Sequence, residues 1–75
     1  MLYLWGMAMA EEALRRAIKL VGTSRALAEM VGVTPQALGQ WGRVPAGRVL
    51  KVEKITGVPR HELRPDLYPP SDAAA

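Results

Sequence analysis

The hydrophobic positions of the chain fall into short helical stretches, and the most informative of these ends at Gly32. Before it, Leu27, Ala28 and Val31 share one face of a predicted helix, whereas polar residues occupy the other faces. Glycine has no Cβ, so it adopts the left-handed conformation of a helix exit at little steric cost. The pattern therefore predicts a helix that begins near Ser24 and stops at a tight turn.

A second predicted helix begins two residues after that glycine. Thr34 has a residue type preferred at the N-cap, and Pro35 has the type preferred at the first helical position. Leu38 and Trp41 continue the buried face of this helix. Two helices joined by so short a turn cross steeply, and Ala28 supplies the small side chain expected at the crossing. The pattern predicts a helix-turn-helix, and the alternative is an ordinary helical bundle, in which the same residue types also occur.

A helix is also predicted before this motif, over residues 10–21. Two glutamates lie in its first turn and Gly22 follows its last residue, as the helix dipole and the helix exit favour. Its apolar face consists of Leu14, Ala17, Ile18 and Val21.

After the motif, residues 46–56 are predicted to be helical, because apolar residues recur there at helical spacing. A strand is the alternative, but the alternation that a strand needs fails at Lys54. Gly57 ends this helix, and residues 59–63 form one further short helical turn. Together the elements predict an all-α fold.

The chain of 75 residues divides into three parts. Residues 1–9 form an apolar N-terminal extension, residues 10–69 form the helix-turn-helix domain, and residues 70–75 are expected to be a disordered tail. Met7 and Met9 are alternative start sites. The extension lacks the basic start of a secretory signal and the roughly 20 apolar residues of a membrane span, so no membrane contact is expected.

Charge is distributed unevenly along the chain. Ten Lys and Arg stand against seven Asp and Glu, which gives a formal net charge of +3. The segment from Ser24 to Lys51 contains four basic residues and a single acidic residue, Glu29. A cationic surface around a helix-turn-helix is expected of a DNA-binding protein, and solvated surface charge is the alternative for each residue taken alone. The chain has no cysteine, which suits a reducing cytoplasm.

Polar side chains are predicted on the exposed face of the second helix of the motif. Gln36 and Gln40 lie one helical turn apart, and each amide can pair with N6 and N7 of adenine in the major groove. Thr34 and Pro35 can contact a thymine methyl group, and Arg43 can reach either a guanine or a phosphate. For each glutamine the alternative is a merely solvated side chain.

Sequence-independent affinity is expected from contacts to phosphates. The candidate cations are Arg25, Arg43, Arg48 and Lys51. Backbone amides at the helix starts near Ser24 and Ala46 can hold phosphates as well. Such contacts position a protein on DNA without reading its sequence.

The remaining residues favour neither catalysis nor metal binding. His61 has no ligand partner at metal spacing, so it is expected to cap a helix or to face solvent. Trp41 follows the buried register and lacks the neighbouring aromatic residues of single-strand binders, so core packing is expected. We predict no catalytic residue, no metal and no cofactor, and we do not expect an enzyme.

Two stretches resemble known families. Residues 24–41, SRALAEMVGVTPQALGQW, resemble the helix-turn-helix of the Cro and lambda-repressor-like superfamily. Residues 43–69, RVPAGRVLKVEKITGVPRHELRPDLYP, resemble the small prophage-borne Cro-family regulators that are often called YdaS-like antitoxins. The resemblance covers residues 10–69, and HELRPDLYP is its more particular part. The chain has Ser24 where glutamine is common in such families, and Gly39 where a longer polar residue is usual.

The resemblance implies a lambda-repressor-like bundle of four to five short helices and a homodimeric transcriptional repressor of phage or prophage origin. It also implies a location in the bacterial cytoplasm, at the nucleoid, with the helix from Pro35 in the major groove of a double-stranded operator. A phosphate contact at Ser24 becomes shorter or water-mediated, and base reading at Gly39 is absent or replaced by a close backbone approach. The dimer surface is expected around the fourth helix and Leu67 with Tyr68, aided by the N-terminal segment. The alternative function is an antitoxin-like module whose main partner is a toxin or another regulatory protein.

Overall fold

The computed structural model describes the backbone of residues 2–69 and the side chains of residues 8–69. Within that range every regular element is a helix, which confirms the predicted all-α fold. The elements are α1 (Leu2–Val21), α2 (Ser24–Val31), α3 (Pro35–Gly39), a 3₁₀ turn (Ala46–Arg48), α4 (Val49–Thr56) and α5 (Arg60–Leu63). α1 packs against α2, α4 and α5, and α2 packs against α3 and α4. No helix in the described part of the chain is long and apolar enough to cross a membrane.

α2 has the boundaries that its residue types favour. The hydroxyl oxygen of Thr23, the N-cap, accepts a hydrogen bond from the backbone N–H of Ala26 at 3.1 Å. Gly32 ends the helix with φ of 92°, and its N–H donates to the carbonyl of Ala28 at 2.9 Å. The residues that α2 buries are Leu27, Ala28 and Val31. The predicted face and exit of this helix are confirmed.

α3 is short and starts where the sequence predicts. Oγ1 of Thr34 accepts a hydrogen bond from the N–H of Ala37 at 3.1 Å, and Pro35 occupies the first helical position. The helix ends before Trp41, so the prediction that Trp41 continues it is wrong. Glycines on both sides of the segment 40–41 disfavour a longer helix. The indole is nevertheless half-buried and packs against the core, as expected.

α1 begins at Leu2 rather than at residue 10. Residues 2–9 are rich in Leu, Met and Ala, which are strong helix formers, and they contain no proline that would stop the helix. The expected start relied on the two glutamates, whose favourable interaction with a helix dipole is worth less than about 1 kcal/mol. Among the described side chains of α1, those of Ala10, Ala13, Leu14 and Ala17 are buried. Ile18 and Val21 are partly buried at its end.

Residues 46–56 are helical, as predicted, and the strand alternative is wrong. The first turn is 3₁₀ because the N–H of Arg48 donates to the carbonyl of Pro45, three residues earlier, at 2.9 Å. Gly57 ends α4 with φ of 81°, as predicted. The residues that α4 buries are Val49 and Val52.

The C-terminal segment closes the core. α5 is the short helical turn predicted over residues 59–63, and it buries Leu63. Val58, just before it, is buried as well. Arg64 follows α5 and is only 8% exposed, although it carries a charge. A buried arginine requires hydrogen-bonding partners, and these lie beside the candidate site.

Two predictions concern residues outside this description. The side chains of residues 1–7, on which the packing of the N-terminal extension depends, lie outside the described residues, and so does the expected tail at residues 70–75. The division into extension, domain and tail stays a prediction.

Candidate nucleic-acid interface

α3 presents almost all of its side chains to solvent. Of its five residues only Leu38 is buried. Gln36 and Gln40 are both exposed, and Gln40 is the C-cap at the end of the helix. Thr34 and Pro35 are exposed at its start, where the Thr34 hydroxyl already serves as the N-cap acceptor. The helix therefore offers two free amide side chains to an approaching ligand.

The start of α2, the end of α3 and the following loop lie side by side. Ser24, Gly39 and Trp41 line one shallow depression. Gln40 and Arg43 line a second depression, to which Trp41 also contributes. Gln40 and Arg43 therefore lie close to Ser24 and Gly39, because Trp41 lines both depressions. Gln36 lines neither of the two.

An acidic residue of α1 borders this surface. Glu11 of α1 lines both depressions. Its carboxylate lies 3.9 Å from the guanidinium of Arg15, one helical turn further along. The pair is exposed, so it is worth less than about 1 kcal/mol, and Glu11 still contributes negative charge at this edge.

Arg25 is exposed on the first turn of α2. Its Nε lies 3.8 Å from Oε1 of Glu29, and both side chains are largely in solvent. An exposed pair with this spacing stabilises a helix by roughly 0.5 kcal/mol or less, so Arg25 remains available to an anion. The first backbone N–H groups of α2 have no acceptor within the helix. Of these, the N–H of Ala26 donates to the side chain of the N-cap, Thr23.

Arg48 and Lys51 add positive charge next to the helix-turn-helix. Both are exposed, and within the described residues neither lies at ion-pair distance from a carboxylate. Nζ of Lys51 lies 3.9 Å from the position that a Cβ on Gly32 would occupy. α4 therefore brings this ammonium group to the turn between α2 and α3.

Arg43 differs from the other predicted cations because it is only 37% exposed. Its Nη1 lies 3.8 Å from Oδ2 of Asp66. That distance allows an ionic interaction but is too long for a hydrogen bond. Arg43 is therefore a partly shielded cation whose N–H donors are not used by Asp66.

Sequence reasoning does not identify the pair of Arg64 and Asp66, which holds the loop that contains Arg43 and Val44 in place. Nε and Nη2 of Arg64 donate to the two oxygens of Asp66 at 2.9 and 2.8 Å, as a bidentate pair. Nη1 of Arg64 donates to the carbonyl of Val44 at 3.0 Å. The hydrogen bonds from Arg64 lower the pKa of Asp66 to about 2, and the charge of Arg43 acts in the same direction. The available signal was Pro65 between the two, because proline favours the turn that the N–H of Leu67 closes onto the Arg64 carbonyl.

Other ionic contacts hold α5 against its neighbours. The carboxylate of Glu53 accepts a hydrogen bond from the backbone N–H of Arg60 at 2.8 Å and one from its Nε at 3.0 Å. The backbone hydrogen bond in particular lowers the pKa of Glu53. Arg16 of α1 pairs with Glu62 of α5. These contacts stabilise the fold and lie outside the candidate interface.

His61 is half-buried on α5, with Nε2 3.9 Å from Glu62. Its Nδ1 is buried and has no hydrogen-bond partner among the described residues. The same part of the chain contains no group of three or more residues that could hold a metal ion. His61 lies inside α5 and is largely buried, so the expectation that it caps a helix or faces solvent is wrong.

Comparison with known proteins gives a family and a relative. The profile of a family described as Bacterial toxin YdaS matches residues 14–71, which include α2, α3 and the Arg64–Asp66 pair. The chain is also 42% identical over 64 residues to the Gene 30 protein of Enterobacteria phage phi80, over 79% of this chain and 88% of that protein. No solved structure matches the chain.

Proposed function

We propose that this chain, which belongs to the bacterial toxin YdaS family, is a sequence-specific DNA-binding regulator of the Cro type. In this role α3 enters the major groove of a double-stranded operator, and the protein represses transcription without catalysis and without a cofactor. Its similarity to a phage gene product supports an origin in a phage or prophage. We place its action in the bacterial cytoplasm, on nucleoid DNA.

The exposed surface of α3 is the observation that carries this proposal. A helix that buried two faces would serve only to close a core, but α3 buries Leu38 alone. Its free amides, Gln36 and Gln40, have the donor and acceptor pair that matches N7 and N6 of adenine. Buried Leu38 anchors the helix while the amides remain outside.

The cations around α3 support the same role. Arg25, Arg48 and Lys51 are exposed on the elements before and after it. Each phosphate that such a residue neutralises releases counterions and adds affinity that does not depend on sequence. The unpaired amides at the start of α2 add a further place for a phosphate.

A homodimer completes the proposal, since one short helix contacts too few base pairs to select a site in a genome. Two copies related by symmetry would read half-sites about 34 Å apart on one face of the DNA. Leu50 of α4 and Leu67 are large apolar side chains at least two-fifths exposed, at 50% and 43%. They support the expected dimer surface around α4 and the C-terminal turn, where Tyr68 is half-buried.

Selection of bound sequences from random double-stranded DNA tests this function. We expect enrichment of a pseudo-palindrome whose half-sites lie about 10 base pairs apart and contain adenine at the positions that Gln36 and Gln40 read. The matched control is the variant with both glutamines changed to alanine, which keeps every cation. Equal retention of all sequences by the wild-type protein would contradict the proposal.

A second candidate function is supported by the family's description as a toxin and by exposed apolar residues. Leu20 and Met30 are more than half exposed, on α1 and α2. In this alternative the main partner is another protein, such as a toxin or a regulatory protein. Expression in bacteria separates the two functions, because a growth defect that persists in the double glutamine variant would favour a protein partner.

A further inference from the structure

The Arg64–Asp66 pair touches the loop after α3 at two neighbouring places. Nη1 of Arg64 holds the carbonyl of Val44, and Asp66 faces the guanidinium of Arg43, the residue just before it. The same buried arginine therefore fixes the backbone of this loop and, through Asp66, the surroundings of the Arg43 side chain. Twenty residues separate Val44 from Arg64 in the chain, so the contact exists only in the folded domain.

Asp66 is a firmly held partner. Both of its carboxylate oxygens accept hydrogen bonds from Arg64, and Arg64 itself is almost completely buried. Packing around Arg64 thus restricts the orientation of the carboxylate. Arg43 meets a fixed negative charge at 3.8 Å and keeps its N–H donors for another acceptor.

This arrangement suits hydrogen bonds from Arg43 to a base better than an ionic contact with a phosphate. A phosphate needs only positive charge, which the exposed Arg25, Arg48 and Lys51 supply. A neighbouring carboxylate weakens the attraction of Arg43 for phosphates in general. The planar guanidinium of Arg43, whose N–H donors Asp66 leaves unused, can instead donate two parallel hydrogen bonds to O6 and N7 of guanine.

We infer that Asp66 is a positioning residue for DNA recognition, which together with Arg64 places a fixed carboxylate beside Arg43, in the loop after α3, so that Arg43 reads a guanine. This inference rests on the proposed function. It assigns a role in recognition to the C-terminal turn, outside the helix-turn-helix. It also resolves the choice between guanine and phosphate at Arg43 in favour of guanine.

The test measures the affinity of wild-type protein and of Asp66→Asn for the operator recovered by selection and for a series of duplexes with one base pair changed. We expect Asp66→Asn to lose about tenfold discrimination at one G·C pair of each half-site. Removal of the negative charge should leave the affinity for shuffled DNA unchanged or slightly higher. Arg43→Lys, which retains the charge, should lose discrimination at the same pair, and the double variant should lose no more than either single variant.

Several results would overturn the inference. If Asp66 only stabilises the fold, Asp66→Asn should weaken binding to all duplexes alike. If Asp66 only shields the charge of Arg43, the variant should bind all duplexes more tightly. If thermal melting shows that Asp66→Asn does not fold, Asp66→Glu replaces it in the test. This variant keeps a carboxylate for Arg64 but moves that carboxylate away from Arg43, so the variant should lose the same discrimination. If the wild-type protein selects no sequence, the proposed function fails together with the inference. If it selects an operator that both Asp66→Asn and Asp66→Glu discriminate as well as the wild-type protein does, only the inference fails.

Discussion

Two threonine hydroxyls set where the helices of the motif begin. Thr23 and Thr34 each accept a hydrogen bond, at 3.1 Å, from the amide three residues further along. An N-cap of this kind is typically worth about 1 kcal/mol. The cap of α3 fixes where the helix begins, and burial of Leu38 leaves Gln36 and Gln40 on the exposed side.

The glutamines and the cations should differ in what their loss does to binding. Gln36→Ala or Gln40→Ala should relax the preference at one or two base pairs, by about 1–3 kcal/mol each, because an amide pairs with a base edge. Arg48→Ala should weaken binding to all sequences alike, because a phosphate contact carries no sequence information. Affinities for a panel of single-base-pair variants of the operator measure both effects. The reverse pattern would show that α3 faces the DNA in a different register.

Asp66 makes the stability of the fold depend on pH in the acid range. Its pKa is about 2 in the folded protein against an ordinary value of 3.8, so its contribution is complete above pH 3.8 and is lost as the pH falls through 2. The side chain is 41% exposed, so solvent screening limits this loss to about 1 kcal/mol. Urea unfolding between pH 5 and pH 2 measures it. The gap in stability between wild-type protein and Asp66→Asn should narrow as the pH falls, and a constant gap would contradict this role of the carboxylate.

At the scale of elements, the boundaries that rest on backbone chemistry could be predicted and those that rest on weak electrostatics could not. Gly32, Thr34 and Gly57 act through φ angles and capping hydrogen bonds, and each has its predicted role in the structure. The start of α1 was inferred from charge near a helix end, and apolar helix formers overrode it. The sequence pattern predicts too late an end for α3, because burial of Trp41 does not require this residue to be helical.

The candidate interface was predictable to a similar extent. Exposed cations and amides are visible in the sequence, since residue type and helical register place them. The Arg64–Asp66 pair was missed because arginine is seldom buried, and its burial here depends on a contact with Val44, twenty residues away. A contact between distant parts of the chain leaves no periodic pattern.

The turn between α2 and α3 can be tested through Gly32. Its φ of 92° is unfavourable for any residue with a Cβ, and most of all for a β-branched one, although nothing but the end of Lys51 lies near the added atom. Gly32→Val should lower the free energy of unfolding by roughly 1–3 kcal/mol. Gly47→Ala is the matched control, because Gly47 has no positive φ and open space around it. Equal melting temperatures for Gly32→Val and wild type would contradict the left-handed conformation of Gly32 in this turn.

At the scale of the whole molecule, the proposed function requires two copies, since one short helix contacts too few base pairs to select a site. The exposed Leu50 and Leu67 lie on α4 and the C-terminal turn. We expect two protomers on each operator, with dimerisation completed on DNA when it is weak in free solution. Sedimentation with and without operator measures the stoichiometry, and one protein per operator at saturation would contradict a dimer.

The central claim is that the protein binds double-stranded DNA through both phosphate contacts and base reading. Its most direct test is the affinity for the selected operator and for a shuffled duplex, measured by fluorescence anisotropy over a range of salt concentrations. If a dimer neutralises about six phosphates, log affinity should fall with log salt with a slope near five in magnitude, and the operator should bind about 1,000-fold more tightly than the shuffled duplex. Equal affinities for the two duplexes, or a slope below about two, would contradict the claim and favour a protein partner.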